Sequence, residues 1–352
     1  MKYTPTIAVI ACVAMLFSCA QRKTDNYNEL ERASLKAWMD KNVQTYETLD
    51  EGGVYIKKIV EGTGQAVENE KWMFYDITGT DLQGNVFYFR DSLEARIQGT
   101  YIAKTHYAPY LNAFTYPNYT IPEHALAIAF NTMKEGDSVA VYATSSFTYG
   151  SSSYPLTYSY VMSGYEGQYQ TCFQGSVPAI FRIKLHKVID NVQDYENQQV
   201  AGYAADNFGQ TIADTISANM YRKIILPVTG KKEVTDTATG LKLYYVAKFL
   251  DGFVYDTNID TVAKRLWGSN ASYSAVVNYN AGSPAPGALG VYKAVLGMRY
   301  TEWATVAFNS DYGYGYTGQE VGATSTSYVT EIRPYTPLVY DIYVADWGDS
   351  NE

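Results

Sequence analysis

Two spacings alternate along this 352-residue chain. Leu30, Ala33, Ala37, Val43 and Tyr46 recur near helical spacing, which predicts an amphipathic helix from Glu29 to Leu49, stopped by Gly52-Gly53. From Val54 to about Ile189 the pattern shortens to alternating apolar and polar positions broken by Gly, Asn and Asp, as strands and turns require. Val200, Ala204, Phe208, Ile212, Ile216 and Met220 then return every four residues and predict a second helix, with Pro227 and Gly230 past its end. That period needs a partner face, so the helix is expected to dock on a neighbour. Strand alternation resumes from about Val234 and runs to Trp347. The order is helix, β-rich block, helix, β-rich block.

That order invites a search for an internal repeat. Leu82-Gln83-Gly84-Asn85-Val86-Phe87-Tyr88 matches Leu250-Asp251-Gly252-Phe253-Val254-Tyr255-Asp256 at an offset of 168. The run from Met133 to Val141 matches that from Met298 to Val306, and Phe147-Thr148-Tyr149-Gly150 matches Tyr312-Gly313-Tyr314-Gly315, both at 165. Three motifs in one order at nearly one period mark the blocks as copies of one fold.

The N-terminus changes the picture. Lys2 precedes an apolar run from Ile7 to Phe17, too short for a membrane span but suited to a secretory signal. Leu16-Phe17-Ser18-Cys19 resembles a bacterial lipobox, which implies acylation of Cys19 and a lipid-anchored protein of the cell envelope. Cys12 leaves with the signal and Cys172 is the last thiol, so no internal disulfide is expected. The remainder is long enough for two ordinary domains. Tyrosine is abundant, with 35 residues, and suits half-buried strands and concave binding surfaces. A formal charge of −9 argues against a nucleic-acid partner.

In the first block, Gly62-Thr63-Gly64, Ile77-Thr78-Gly79 with Gly84 and Phe87, Met133-x-x-Gly136 and Tyr149-Gly150 resemble an FKBP-type peptidyl-prolyl isomerase. The second block is closer, through Tyr245, Leu250-Asp251-Gly252, Tyr255-Asp256, Gly297-Met298, Asp311-Tyr312-Gly313-Tyr314-Gly315 and the run from Ile332 to Asp341. The resemblance implies an α+β fold of two FKBP-like domains, each a half-open antiparallel β-sheet wrapped on a short α-helix. The expected segments are a signal at 1–18, a tether and helix at 19–48, domains at 49–190 and 223–347, and a linker helix at 191–222. The short helix of the second copy is expected from Gly290 to Gly297, with Val291, Ala294 and Val295 facing the sheet. Residues 92–122 and 151–176 read as enlarged loops.

The implied chemistry is X–Pro isomerisation. The bond turns slowly because rotation breaks amide resonance. The twisted transition state is less polar than the planar amide, so an apolar pocket favours it. No nucleophile, general base, metal or cofactor is needed. The resemblance places Tyr245, Tyr255, Tyr314 and Tyr340 as an aromatic cup, Val291 at its floor where the family commonly has Trp, Asp256 as the pocket carboxylate and Ile332 as an apolar lip. The empty pocket is expected to face solvent. In the first block Ile77 stands for the pocket Tyr, Tyr88 for the Asp and Leu126 for the Trp, which leaves Phe87, Leu126, Tyr149 and Phe181 as binding surface in an eroded copy. Gly313-x-Gly315-x-x-Gly318 fits a dinucleotide pattern but precedes no helical run, and His106, His124 and His186 lack metal-ligand spacing. Two functions stay open: an envelope prolyl isomerase or folding chaperone acting on proline-containing peptides, and a non-catalytic peptide- or protein-binding lipoprotein.

Overall fold

A computed structural model describes residues 27–116, 124–148, 178–211, 214–236, 238, 241–268, 277–279, 289–321 and 330–346. Cys19, Tyr149, Cys172 and the segment 151–176 lie outside the described residues.

The first half opens with helix α1 (Tyr27–Asn42). Strands β1 (Glu47–Asp50), β2 (Val54–Val60), β3 (Trp72–Asp81) and β4 (Val86–Tyr88) follow, then α2 (Ser92–Ile97), β5 (Tyr110–Ala113), α3 (His124–Phe130), β6 (Ser138–Ala143), α4 (Ser145–Thr148) and β7 (Ala179–Ile189). Helix α5 (Val192–Phe208) leads to β8 (Met220–Leu226), β9 (Leu241–Phe249), β10 (Val254–Thr257), α6 (Asp260–Trp267), β11 (Val277–Tyr279), α7 (Leu289–Val295) and β12 (Trp303–Phe308). The chain ends with a hairpin of β13 (Gln319–Val321) and β14 (Thr330–Ile332), and with β15 (Leu338–Val344).

The protein is α+β, and among the described residues it has two large antiparallel sheets besides the β13–β14 hairpin. The first runs β1-β2-β6-β7-β3-β4, with β5 on β3, and the second runs β8-β12-β15-β9-β10, with β11 on β9. Without β1 the two orders correspond strand for strand. Each sheet wraps on a short helix. Ala125, Leu126, Ala129 and Phe130 of α3 join one core, and Val291, Ala294 and Val295 of α7 join the other. Gly290 lets α7 come close: a Cβ there would sit 2.5 Å from the Phe308 ring. The opposite face of each sheet carries a longer helix. Leu35 and Met39 of α1 pack with Tyr55, Ala140, Tyr142 and Ile180, and Val200 and Ala204 of α5 pack with Tyr221, Ala307 and Val339.

Several expectations are corrected. The first helix stops at Asn42, not Leu49, because Glu47–Asp50 pairs with β2 through the Gly52-Gly53 turn. Its buried positions are Glu31, Leu35 and Met39, whereas Leu30, Ala33 and Ala37 face solvent. The second helix ends at Phe208, capped by Gly209 in the left-handed region at φ 69. Ile216 is exposed, and Met220 begins a strand rather than closing a helix. A boundary at 223 therefore cuts β8, whose Met220–Arg222 pair with Val306–Phe308. Residues 92–122 are not purely loop, since α2 and β5 lie inside them.

Candidate functional site

The site in the second half is built by four strands, a turn and a short helix. β9 brings Tyr245, β10 brings Tyr255 and Asp256, and β15 brings Tyr340. Alternation on β10 turns Tyr255 into the core and leaves Asp256 half-buried beside it. Val291 of α7 and Ile332 of β14 belong to the same apolar cluster as Tyr255 and Tyr340, with Tyr245 and Tyr314 packed against it. The structure thus gathers all seven expected residues in one place.

Their polar atoms form two short links. Tyr245 Oη donates to Asp256 Oδ2 at 2.7 Å, and the Thr257 amide donates to Asp256 Oδ1 at 2.8 Å. Tyr255 Oη donates to Tyr340 Oη at 2.8 Å. The Tyr255 and Tyr340 rings meet edge to face at 6.3 Å, Phe249 stacks on Tyr255 at 4.9 Å, and Phe308 stacks on Tyr340 at 5.7 Å. Burial holds the Tyr255 and Tyr340 phenols well above their ordinary range. Burial also raises Asp256, against the Tyr245 hydroxyl, the Thr257 amide and the charge of Lys104. Burial, then the Asp256 charge, raise Tyr314.

The expectation that the cup faces solvent is overturned. Tyr255 is 3% exposed, Tyr340 5%, Val291 6% and Ile332 1%. These side chains pack into the core, because each comes from the concave face of the sheet or from an element that covers it. The reachable polar groups are Asp256, Tyr245 and Tyr314, all half-buried.

Register assigns the first-half counterparts. Phe181 pairs with Val141 and Gly79 as Tyr340 pairs with Val306 and Ala247. Phe87 meets Phe181 edge to face at 5.9 Å, so the hydroxyl link of the second half becomes a bare ring contact. Ile77, Phe181 and Leu126 are buried, and Tyr88 is half-buried and stacks on Tyr110. Among the described residues this copy keeps the paired rings of Phe87 and Phe181 and has Tyr88 where the second half has Asp256.

Sequence reasoning missed the residues that hold the turn before Tyr314. Glu196 of α5 is buried and accepts from both the amide and the hydroxyl of Ser310, the latter at 2.8 Å. The Ser310 carbonyl in turn accepts from the Gly313 and Gly315 amides, each at 2.9 Å, so Ser310 anchors both glycines that flank Tyr314. Burial raises the Glu196 carboxyl to about 7. The first half repeats the device: Glu31 of α1 accepts from the Ser145 amide at 2.8 Å and its hydroxyl at 2.6 Å. Glu31 and Glu196, like Ser145 and Ser310, differ by 165 positions, so the repeat offset could have found them. The Gly313–Gly318 stretch is followed by strand β13, not the helix a dinucleotide site needs.

Neither a protein-family model nor a curated relative matches the chain. Among solved structures it is similar to the three FKBP domains of wheat FKBP73, at 15% identity over 86% of this chain and 98% of that one, with a TM-score of 0.30. FkpA from Escherichia coli matches at 16% identity over 54% of this chain and 73% of its own, with a TM-score of 0.30. A peptidyl-prolyl cis-trans isomerase from Pseudomonas syringae matches at 21% identity over 44% and 92%, also at 0.30.

Proposed function

We propose that this protein is an FKBP-type peptidyl-prolyl cis-trans isomerase or folding chaperone of the cell envelope, acting through its second half. The observation that carries the reading is the tyrosine cup with Asp256 at its edge, its carboxylate hydrogen-bonded to Tyr245. Such a site offers a peptide the half-buried Asp256, Tyr245 and Tyr314, with the buried Tyr255 and Tyr340 as the apolar backing behind them. Catalysis then follows from stabilising the less polar twisted amide. Lipidation at Cys19 would hold the protein on the envelope, and the lipobox resemblance supports that part of the reading. The partners are proline-containing segments of envelope proteins, with no nucleic acid and no cofactor.

A second reading, a non-catalytic binding scaffold, is favoured by the burial of Tyr255 and Tyr340 and by Val291 in place of a larger floor residue. A protease-coupled prolyl-peptide assay separates the two. Asp256→Ala should lower activity about 5- to 150-fold, as loss of about 1–3 kcal/mol of hydrogen bonding to the bound peptide implies, while Tyr88→Ala should leave it near parent. Equal activity of parent and Asp256→Ala removes Asp256 from the site, and no activity in the parent leaves the scaffold reading.

A further inference from the structure

The first half reaches the second through the stretch between α2 and β5. His106 stacks on Phe249, with ring centroids 4.5 Å apart, and lies 4.9 Å from Phe253. Its Nε2 meets Asp251 Oδ2 at 2.6 Å. Lys104 Nζ stands 4.5 Å from the centre of the Trp267 ring, and its charge reaches Asp256. At the other end, Arg333 Nη1 donates to the Pro109 carbonyl at 2.6 Å and Nη2 to the Ala108 carbonyl at 3.4 Å. The receiving residues rim the tyrosine cup: Phe249 stacks on Tyr255, and Arg333 follows Ile332. One segment of this chain, Lys104-Thr105-His106-Tyr107-Ala108-Pro109, therefore lies along the rim with both carbonyls of its Ala-Pro unit held by one guanidinium.

We propose that Phe249, Asp251, Phe253, Trp267 and Arg333 form a peptide-recognition surface for basic, proline-containing segments, and that Lys104–Pro109 is its resident occupant. The proposal rests on reading the cup as a proline-peptide site, and adds the chemistry of the client. Arg333 reads backbone carbonyls and so accepts any sequence there. Trp267 and the Phe249–Asp251–Phe253 turn take a cation or a flat imidazole, through ring faces and a carboxylate. The net charge of −9 favours the same clients. A client must displace the resident segment. A tethered segment competes at an effective concentration on the order of 1 mM, so a free peptide with a Kd of about 0.1 mM binds about 10-fold more weakly while the segment is seated.

The test uses the full chain and a fluorescent peptide copying residues 101–110, with binding read by anisotropy. Lys104→Ala with His106→Ala should loosen the resident segment and tighten the free peptide about 10-fold. A peptide with Glu at both of those positions should lose that binding. Equal affinity of parent and double variant, or undiminished binding of the Glu peptide, overturns the proposal. Hydrogen exchange on the parent needs no variant: saturating peptide should expose the amides of Lys104–Ala108, and unchanged protection with peptide bound also overturns it. Isomerisation is a separate readout. A protein that binds the basic peptide yet accelerates no X–Pro bond sinks the isomerase reading and leaves the surface standing.

Discussion

Replacing Glu196 by Gln probes the carboxylate clamp by a route that needs no ligand. The side chain is 2% exposed and both its oxygens are spent on Ser310. Gln is nearly isosteric, keeps an acceptor for the Ser310 amide and removes the titration. Burial, reinforced by the nearby Asp311 charge, lifts the Glu196 carboxyl from an ordinary 4.5 to about 7, against the two Ser310 bonds. Between those values the folded chain holds a proton that the unfolded chain has released. The contribution to stability is full below about 4.5 and is lost as the pH rises through about 7. At about 1.4 kcal/mol per pH unit, the gap is worth about 3 kcal/mol, an order-of-magnitude figure. Urea unfolding of parent and Glu196→Gln, followed by circular dichroism from pH 4.5 to 8, isolates it, because other groups titrate alike in both proteins. The parent should lose about 3 kcal/mol relative to the variant across that window. A flat difference, or one that grows in the parent's favour with pH, refutes the reasoning.

Other outcomes follow from packing and sequence. Gly290→Ala forces a Cβ against the Phe308 ring and should cost about 1–3 kcal/mol, lowering the melting temperature; an unchanged melting temperature would show that α7 shifts freely. A fragment of 191–352 keeps α5 and all of β8 and should unfold cooperatively, whereas 223–352 loses Met220–Arg222 and the helix that covers Tyr221, Ala307 and Val339. Equal melting of the two fragments would count against that boundary. Cys19→Ala should move the protein from the membrane to the soluble fraction, and a mature N-terminus beyond Cys19, unmodified by mass spectrometry, would end the lipoprotein reading.

Much of the architecture was legible because the repeat is written in turn residues. Gly84 and Gly252, with their flanking strands, mark the same hairpin in both sheets, and the family resemblance located the short helix of the second half. Helix faces were harder. Leu30 looks like a core residue and is 54% exposed, while Glu31 looks like a surface residue and is 6% exposed. Hydropathy cannot distinguish a carboxylate meant for water from one meant for two fixed donors across the fold. The four-residue recurrence past Phe208 misled for a related reason. Met220 is buried by strand pairing, and spacing alone cannot say which element a buried residue serves. The cup residues were found through the family resemblance, but their burial was not, since a motif does not record what packs behind it. Loop contacts such as His106 with Phe249 join positions far apart in sequence and carry no period at all.

The passage between the halves has little slack. Only Asp190 and Asn191 separate β7 from α5, and the Asn191 side chain caps the helix. From its first turns, α5 sends Gln193 to Asp311, Glu196 to Ser310 and Asn197 to Asn309. The connector is therefore part of the second half and not a spacer. Any hinge between the halves must bend at Asp190–Asn191, because bending elsewhere would tear out a buried carboxylate. A motion there would lift Lys104–Pro109 from the rim while leaving the Tyr314 turn bolted to its helix, so opening the rim and keeping the cup in shape are mechanically separate.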